Sequence, residues 1–547
     1  MQGPAGRVLE RIDGWPAALR HGLLVLVSLA CFLPGLLTLP PSDRDESRFA
    51  QATKQMVESG DYIDIRFQDT PRHKKPAGIY WMQAVAVHAT GVVDAIWVYR
   101  LPSLLAGIAA VSLTALIGGM LFAPGTGFVA GIIMASSVLL NVEARLAKTD
   151  AMLLALTLVA LACLLHLLRT PSRRHALGFW AAAGLGFLVK GPILFLPVAG
   201  IIAVQAWRQR GLRWLGRLEP LRGLPLFLLI ALPWLVAIVV ISDGSFLSES
   251  VGKDMAAKLA GGQESHGAPP GLYLALAPLT FWPFSLLGLL ALPWIWRNRR
   301  LEPVALLLGW TLLTWVIFEA TPTKLAHYVL PAYPALAILA AAAVRDGLPG
   351  PRWSRYVAFG LWALNTAALA GAMPVLGQTT GAGFSAWQLA GIVLACTGYA
   401  GWHLVHGRRP ALFATVILIT AGLFSAVVFG RFLPALDPVF IAPRIVAALP
   451  ASGDCERPAL ASAGYSEPSL VFLAGTATRL TDGAGAADHL AAGGACAVAA
   501  VDERQLPAFL DRSKEIGQSL EKLEEVAGFN YARGKRVRIA IYRVQAP

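Results

Sequence analysis

The sequence predicts a mainly α-helical, polytopic membrane protein with a small α/β domain at its C-terminal end. Of its 547 residues, 56% are hydrophobic and 14% are charged, and the mean hydropathy is +0.58. Soluble proteins contain about 25% charged residues, so this composition is typical of a chain embedded in a membrane. Apolar stretches of about 20 residues, the length that crosses the hydrocarbon core, recur until about residue 431, after which the hydropathy falls.

Thirteen apolar stretches are long enough to span a bilayer. They are residues 22–40, 96–120, 122–142, 151–169, 177–190, 191–207, 223–241, 272–296, 303–319, 325–344, 355–376, 386–405 and 411–431. The stretch 177–207 is too long for one span, and Gly191-Pro192 interrupts it, so the sequence predicts a hairpin there.

The arginines of the short loops predict the orientation. With thirteen spans, all of them fall on the side of the N-terminus: Arg7, Arg11, Arg20, Arg173, Arg174, Arg208, Arg210, Arg213, Arg217, Arg222, Arg297, Arg299, Arg300, Arg345, Arg352, Arg355, Arg408 and Arg409. The positive-inside rule makes that side the cytoplasm. Their spread over many loops disfavours a nucleic-acid partner as the explanation of the net charge of +13. We expect the first span to be an uncleaved anchor, because no A-x-A-like cleavage site follows it.

The same count places the segments 41–95, 143–150, 242–271 and 320–324 outside, together with the chain after about residue 432. The predicted domains are a membrane domain, 1–436, and an outer α/β domain, 437–547. In the outer domain, residues 459–465, 495–501 and 536–544 have the pattern of strands. Residues 466–475, 485–493 and 503–517 have the pattern of helices between them. The simplest outer compartment is a bacterial periplasm.

The five cysteines divide between the two domains. Cys31, Cys163 and Cys396 lie in predicted spans, where small buried side chains are the ordinary interpretation. Cys455 and Cys496 both lie in the outer domain, and we predict a structural disulfide between them, two separate buried thiols being the alternative. No CxxC motif or Cys/His metal-ligand spacing is present.

Polar residues from five parts of the chain are predicted to share the outer face. The segment after the first span is rich in them, and a carboxylate at bilayer depth costs about 2.5–3.5 kcal/mol, so they must lie at the interface or line a wet cavity. They are Asp43, Asp45, Glu46, Arg48, Lys74, Lys75, Tyr80 and Trp81 in the first loop, Arg145 and Asp150, Lys190, His266, and the group Lys324, His327 and Tyr328.

Each of these residues also has a structural interpretation. Asp45 with Arg48 matches an i, i+3 surface pair, and Asp150 can cap the helix that follows it. Lys74 and Lys75 can be interfacial anchors. Tyr80 and Trp81 fit a belt of aromatic residues at the membrane surface at least as well as they fit a surface on which a sugar stacks. Only the combination of so many groups on one face favours a functional site.

Five motifs are similar to those of the protein mannosyltransferase and lipid A aminoarabinose transferase superfamily. They are the DESRF sequence at 45–49, Lys75-Pro76 followed by Tyr80-Trp81, the Arg145 to Asp150 spacing, LVKGP at 188–192, and TKLAHYVLPAYP at 323–334. The resemblance covers roughly residues 20–345. It implies a GT-C glycosyltransferase fold and the transfer of a sugar from a polyprenyl phosphate carrier to an acceptor outside the cytoplasm. The sugar is aminoarabinose-like, a hexose or a uronic acid, and the acceptor is lipid A, another envelope glycan or a protein.

The resemblance also implies roles for individual residues. Asp45 matches the acidic catalytic residue and Asp150 the second acid, while Lys75 and Arg48 match groups that face the carrier phosphate. Phe49 stands where Tyr is frequent, and Ala77 replaces a second proline. We place the remaining candidates beside these four: Glu46 as catalytic, Lys190 and Lys324 as phosphate-binding, and Tyr80, Trp81, Arg145, His266 and Tyr328 as substrate-binding.

No cofactor is certain from the sequence, although Asp45 and Asp150 can share a divalent metal ion. The expected partners are the lipid-linked donor, a lipid or glycan acceptor and membrane lipids, in a bacterial inner membrane. The main rival is a lipid-linked sugar flippase or polysaccharide transporter, which predicts ionisable groups deep in several spans and internal repeats. An O-antigen ligase or polymerase and a receptor with an outer sensing domain are further alternatives, but neither explains the charged first loop.

Overall fold

The computed structural model describes residues 4–255, 267–380, 385–406, 410–449 and 458–545. The helices before residue 255 are α1 (Pro4–Asp13), α2 (Ala17–Phe32), α3 (Asp45–Ser59), α4 (Gly78–Thr90), α5 (Ile96–Leu121), α6 (Pro124–Ser136), α7 (Val138–Glu143), α8 (Asp150–Arg169), α9 (Arg173–Lys190), α10 (Phe195–Gln209) and α11 (Pro220–Ile241). The later membrane-domain helices are α12 (Leu272–Thr280), α13 (Ser285–Asn298), α14 (Glu302–Ala320), α15 (Tyr333–Arg345), α16 (Arg352–Thr380), α17 (Ser385–Val405) and α18 (Pro410–Val427).

Eight helical segments of the described chain are long and apolar enough to cross a membrane. The bent pair α1 and α2, which meet at 115°, makes a ninth if it counts as one span. The chain is therefore a multi-pass membrane protein, as predicted, but the number thirteen is not confirmed. One of the eight segments, Arg173–Gln209, contains both helices of the predicted hairpin.

Two predicted spans are broken in the structure. The stretch 122–142 is divided into α6 and α7 because Ser137 adopts an extended conformation with a ψ of 133°. The stretch 272–296 is divided into α12 and α13 by the residues between Thr280 and Ser285. A count of apolar residues does not detect such breaks, although Ser136-Ser137 stands in the first stretch and Pro283 in the second.

The hairpin of α9 and α10 reverses the chain at a 3₁₀ turn, Gly191–Leu194. Ser172, which precedes α9, and Gln209, which ends α10, line the same cavity of about 580 Å³. Lys190 therefore lies at the far end of the hairpin from these two residues. Arg217 donates to the carbonyl oxygen of Leu168 (2.8 Å), so the end of α8 lies on this arginine-rich side as well.

The first loop folds into a short helical unit on the opposite side. Helix α3 begins at two acids, which suits the positive end of the helix dipole, and it ends at Gly60, whose φ of +72° only glycine adopts without strain. A two-stranded hairpin, β1 (Arg66–Phe67) and β2 (Thr70–Pro71), then leads to α4. Phe49 and Tyr80 join α3 to α4 with ring centres 5.3 Å apart.

The C-terminal unit contains a five-stranded mixed sheet with the order β4-β3-β5-β7-β6. Its strands are β3 (Ala459–Ala463), β4 (Arg479–Thr481), β5 (Ala497–Asp502), β6 (Leu520–Asn530) and β7 (Lys535–Val544). Its helices are α19 (Ile441–Ala447), α20 (Pro468–Ala474), α21 (Gly483–Gly493) and α22 (Leu506–Glu515). The predicted strands and helices are all present. The sequence missed β4, which is three residues long, and the edge strand β6, whose exposed residues include several glutamates.

Cys496 is disulfide-bonded, whereas Cys455 lies outside the described residues, so the pairing of the two stays a prediction. The thiols of Cys31, Cys163 and Cys396 are free, but only Cys31 is buried as expected, whereas Cys163 is half-buried and Cys396 is exposed.

The C-terminal unit packs directly on α3. Gln51 donates to the hydroxyl of Thr476 (2.8 Å), which in turn donates to Glu58 (2.7 Å). The buried Lys54 ammonium donates to the carbonyl oxygen of Phe472 (3.3 Å). Helix α3, which begins with Asp45, is therefore held between the membrane domain and the C-terminal unit.

Candidate active site

Asp45 is the first residue of α3 and lies among cations. Its side chain is open to solvent, yet protein atoms surround it closely enough that desolvation alone would raise its pKa. The positive charges of Lys148, Arg72 and Arg48 outweigh this effect and hold the pKa of Asp45 below its ordinary value. Asp45 is therefore an ionised carboxylate at neutral pH that faces an open space.

Two carboxylate–lysine pairs lie beside it. Lys190, at the end of α9, donates to Asp150 at the start of α8 (2.5 Å). Lys148 donates to Glu143 (3.0 Å), and all four side chains are buried. His327 lies between the pairs, with Nδ1 3.6 Å from Glu143 and Nε2 3.7 Å from Asp150. Three helix ends, those of α7, α8 and α9, and the segments that carry Lys148 and His327 thus bring alternating charges together at one end of the bundle.

One group of side chains in the described part of the chain has ligand atoms close enough to share a cation, all within 4.8 Å: Glu143, Asp150 and His327. It includes Asp150 but not Asp45, which the sequence paired with it. One oxygen of Glu143, Oε2, is buried without a hydrogen-bond partner. The two lysines already balance the two carboxylates, however, and a divalent ion would have to displace them. The residues therefore fit a metal by geometry but not by charge.

Two cations of the first loop, Arg48 and Arg72, lie near Asp45. Arg72 donates to the buried hydroxyl of Tyr80 (3.1 Å), and its guanidinium lies 5.1 Å from the centre of the Phe49 ring. The ring face of Phe49 provides this contact without a hydroxyl group. The half-buried Lys75 precedes α4, which begins at Gly78.

Gly78 fixes where that loop lies. A Cβ atom at Gly78 would come within 2.8 Å of the backbone carbonyl of Leu188 in α9. Glycine therefore permits the close approach of α4 to the end of α9, and this approach brings the loop of Lys75 towards Lys190.

Glu46 adjoins Asp45 but is enclosed and fully bonded. Arg100 donates to both of its oxygens (2.7 and 3.1 Å), Ser42 donates through its amide (2.9 Å) and its hydroxyl (2.8 Å), and the amide of Ala147 donates at 3.1 Å. No lone pair remains to act on a substrate. We therefore assign Glu46 a structural role and no longer propose it as catalytic.

Arg145 is directed into the protein and not into the site. Its guanidinium donates to the carbonyl of Pro34 (2.7 Å) and to the carbonyl of Cys31 and the hydroxyl of Ser425, and it stacks on the ring of Phe429 at 4.1 Å. It joins α2 to the end of α18. The substrate-binding role predicted for Arg145 is therefore replaced by a structural one.

Lys324 is likewise occupied by the backbone. Its ammonium donates to the carbonyls of Phe318 (3.4 Å), Glu319 (2.7 Å) and Thr321 (2.6 Å) at the C-terminal end of α14. Tyr328, by contrast, lies at the site, because its ring centre is 5.3 Å from the Lys190 ammonium.

Two further candidate residues, Trp81 and His266, are not among the groups described at the site. The indole of Trp81 donates to the carbonyl of Tyr62 (2.8 Å) and so holds α4 against the loop before it. His266 lies outside the described residues.

Sequence reasoning passed over Glu143, Lys148 and Arg72. The first two stand in the short segment 143–150 that was predicted to face outside, and an acid and a lysine next to Asp150 in such an apolar context are a usable signal. Arg72 has no such signal, since it stands in a loop with several other charges.

Comparison with known proteins supports the fold. Residues 74–236 match the family model described as dolichyl-phosphate-mannose-protein mannosyltransferase. The undecaprenyl phosphate-alpha-4-amino-4-deoxy-L-arabinose arabinosyl transferase of Pseudomonas aeruginosa (strain LESB58) is 30% identical over 303 residues, 54% of each chain. That of Aeromonas salmonicida (strain A449) is 30% identical over 341 residues, 59% of each chain. The chain thus matches somewhat more than half the length of these curated relatives.

Solved structures extend the similarity over nearly the whole chain. ArnT from Cupriavidus metallidurans bound to undecaprenyl phosphate superposes with a TM-score of 0.74 at 19% identity, covering 96% of this chain and 98% of that one. The apo form gives a TM-score of 0.70, with 95% and 97% covered. The chain is therefore a polytopic membrane protein with the ArnT-like GT-C fold, which is the fold that the motifs implied.

Proposed function

We propose that this protein is a glycosyltransferase that moves a sugar from a polyprenyl phosphate carrier to an acceptor in the cell envelope. The observation that carries the proposal is the meeting of the ionised Asp45 with two buried carboxylate–lysine pairs and the first-loop cations at one end of an ArnT-like bundle. The names of the relatives, which specify aminoarabinose carried on undecaprenyl phosphate, support the same class of donor.

The cations of the first loop suit the leaving phosphate. When the bond between the sugar C1 and the phosphate oxygen breaks, positive charge develops on the sugar ring and negative charge on the phosphate. Arg48, Arg72 and Lys75 are the groups we propose to hold that phosphate and stabilise it electrostatically. Lys190 can contribute as well, although Asp150 shares its charge in this structure.

Asp45 is the proposed base. If the acceptor is a hydroxyl, its oxygen attacks C1, the C1–phosphate bond breaks, and the proton passes to the Asp45 carboxylate. If the acceptor is itself a phosphate, no proton needs to move, and Asp45 then positions the nucleophile. We propose that Asp150, Glu143 and His327, which lie together, shape the acceptor side.

We propose a bacterial inner membrane location with this site and the C-terminal unit on the periplasmic side. The support is the arrangement of charge: Asp150 begins α8 at the site, while Arg217 contacts Leu168 near the other end of the same helix. A helix of 20 residues is about 30 Å long, so the acids and the arginines lie on opposite faces of a bilayer.

The test is a reconstituted assay with the purified protein. Synthetic undecaprenyl phosphate-linked aminoarabinose, hexose and uronic acid are offered in turn with lipid A, other envelope glycans and peptides, and release of undecaprenyl phosphate is measured by mass spectrometry. We expect one donor to be consumed by the wild type and none by D45N. D69N is the matched control, because Asp69 is an exposed acid of the same loop whose side chain makes no hydrogen bond or ion pair with the described residues.

Flippase activity is measured in parallel. Movement of intact labelled donor across the vesicle membrane, without release of the carrier phosphate, would support the transporter and overturn the enzyme.

A further inference from the structure

The turn immediately before Asp45 has an unfavourable backbone conformation. Arg44 has a φ of +66° and a ψ of −108°, a region that side chains with a Cβ atom rarely adopt. Such conformations persist only where surrounding contacts impose them, and they concentrate at functional sites. The residue after Arg44 is the proposed base, so any relaxation of the turn would move the Asp45 carboxylate.

The contacts that impose this turn from one side come from the C-terminal unit. The amide of Asp43 donates to the hydroxyl of Tyr531 (2.5 Å), and the hydroxyl of Ser469 donates to the Asp43 carboxylate. The Arg44 guanidinium donates to the carbonyl of Ala532. Tyr531 and Ala532 follow β6, while Ser469 is in α20. Two separate parts of the C-terminal unit therefore hold the consecutive residues Asp43 and Arg44.

The membrane domain holds the same turn from the other side. Ser42 is bonded to Glu46, and Arg100 binds Glu46 while it also donates to the carbonyl of Leu39 (2.8 Å). The segment 42–46 is thus fixed at both faces, and Asp45 is the residue within it whose side chain remains open to solvent.

We propose that the C-terminal unit completes the active site by clamping the Asp43–Arg44 turn, so that Tyr531, Ser469 and Arg44 are positioning residues for Asp45. This inference rests on the proposed function, because it assigns a purpose to the site described above. The C-terminal unit then contributes to turnover without touching the donor.

A matched pair of substitutions isolates the backbone conformation. R44A and R44G both remove the guanidinium contact with Ala532, but only alanine keeps the Cβ atom that disfavours the turn. We expect R44A to lower kcat about tenfold and R44G to stay within about threefold of the wild type, with KM for the donor nearly unchanged in both. Equal activity of the two variants would overturn the clamp.

A second variant tests the contact that the C-terminal unit makes with Asp43. Y531F removes the acceptor of the Asp43 amide and keeps the ring, and Y542F is its control, because the Tyr542 ring packs on Phe509 in another part of the sheet domain (5.1 Å). We expect Y531F, but not Y542F, to lower kcat several-fold and to accelerate amide hydrogen exchange in residues 42–48. Unchanged exchange in Y531F would also overturn the clamp.

The exchange measurement separates the two hypotheses. If the wild type transfers no sugar, the proposed function fails, yet exchange in residues 42–48 still reports whether the C-terminal unit holds the turn. If transfer is observed and the turn exchanges equally in Y531F and the wild type, only the clamp fails.

Discussion

Asp45 and Glu46 are neighbours in the sequence, yet the structure gives them opposite surroundings. Every oxygen of Glu46 accepts hydrogen bonds from Arg100, Ser42 and Ala147 inside the protein. Asp45 is open to solvent and surrounded by cations at a distance. A fully bonded buried charge is stable where it is and costly to disturb, whereas an open charge can exchange its partners for a substrate. Burial and bond saturation together, rather than charge, distinguish the structural acid from the candidate catalytic one.

The contrast between Asp45 and Glu46 is tested most directly by a substitution of Asp45. The substitution D45N keeps the shape of the side chain and removes its charge, so we expect turnover to fall by about a hundred- to ten-thousand-fold. Protein yield and thermal unfolding should match the wild type, and D69N should keep full activity. Near wild-type turnover of D45N with its donor would show that the catalytic assignment is mistaken.

The opposite pattern is expected at Glu46. In E46Q the Arg100 guanidinium loses its counter-charge inside the protein, and breaking a buried pair in this way costs about 3–5 kcal/mol of stability. We expect a clear fall in the unfolding temperature measured in detergent, and only a several-fold loss of activity per folded molecule, because Glu46 also helps to hold the segment 42–46 that carries Asp45. A stable but inactive E46Q would return Glu46 to the catalytic group.

Lys190 and Lys324, which the sequence analysis both predicted to bind phosphate, differ in the same way. K190A leaves Asp150 unpaired beside the proposed phosphate site, so we expect about a hundredfold loss of kcat. K324A removes bonds to three helix-end carbonyls, and we expect a loss of about 1–2 kcal/mol of stability with activity within about threefold of the wild type. Parallel kinetics and unfolding measurements on both variants decide the matter, and equal losses of kcat would contradict it.

Asp43 provides a pH test of the contact between the two units. Burial, followed by the charge of Glu467, raises the pKa of Asp43 to about 7. Because the pKa is higher in the folded protein than in the unfolded chain, the folded state binds the extra proton at low pH, and this stabilisation is lost as the pH rises through about 7. The charged and titratable groups that face Asp43 are Glu467, Arg44, Tyr465 and Tyr531.

We expect the unfolding temperature to fall between about pH 4 and pH 7 in the wild type, the interval between the ordinary pKa of the carboxyl group and the raised one. The fall should be smaller in D43N, because asparagine resembles the protonated carboxyl group at every pH. A parallel fall in both proteins would mean that other groups control the pH dependence.

Much of this molecule could be predicted from the sequence, and the failures have physical causes. The motifs identified Asp45, Asp150 and Lys190 because their residue types and order are distinctive, and the structure brings them together. The motifs could not separate Asp45 from Glu46, since hydrogen-bond saturation depends on Arg100, more than fifty residues away. The breaks that divide two predicted spans were also missed, because a count of apolar residues gives no weight to Ser136-Ser137 and Pro283, which stand at the breaks.

Metal removal is the change from which we expect the smallest effect, and it tests the charge balance of the site. Glu143, Asp150 and His327 could share a cation by distance alone. Lys148 and Lys190 already donate to the two carboxylates at 3.0 and 2.5 Å, so a divalent ion would give a surplus of positive charge in a buried space. We therefore expect prolonged treatment with EDTA to leave turnover within about twofold, a change too small to reflect loss of a catalytic metal. Loss of activity on chelation, with recovery on adding Mg²⁺ or Mn²⁺, would mean that a metal displaces the lysines in the working enzyme.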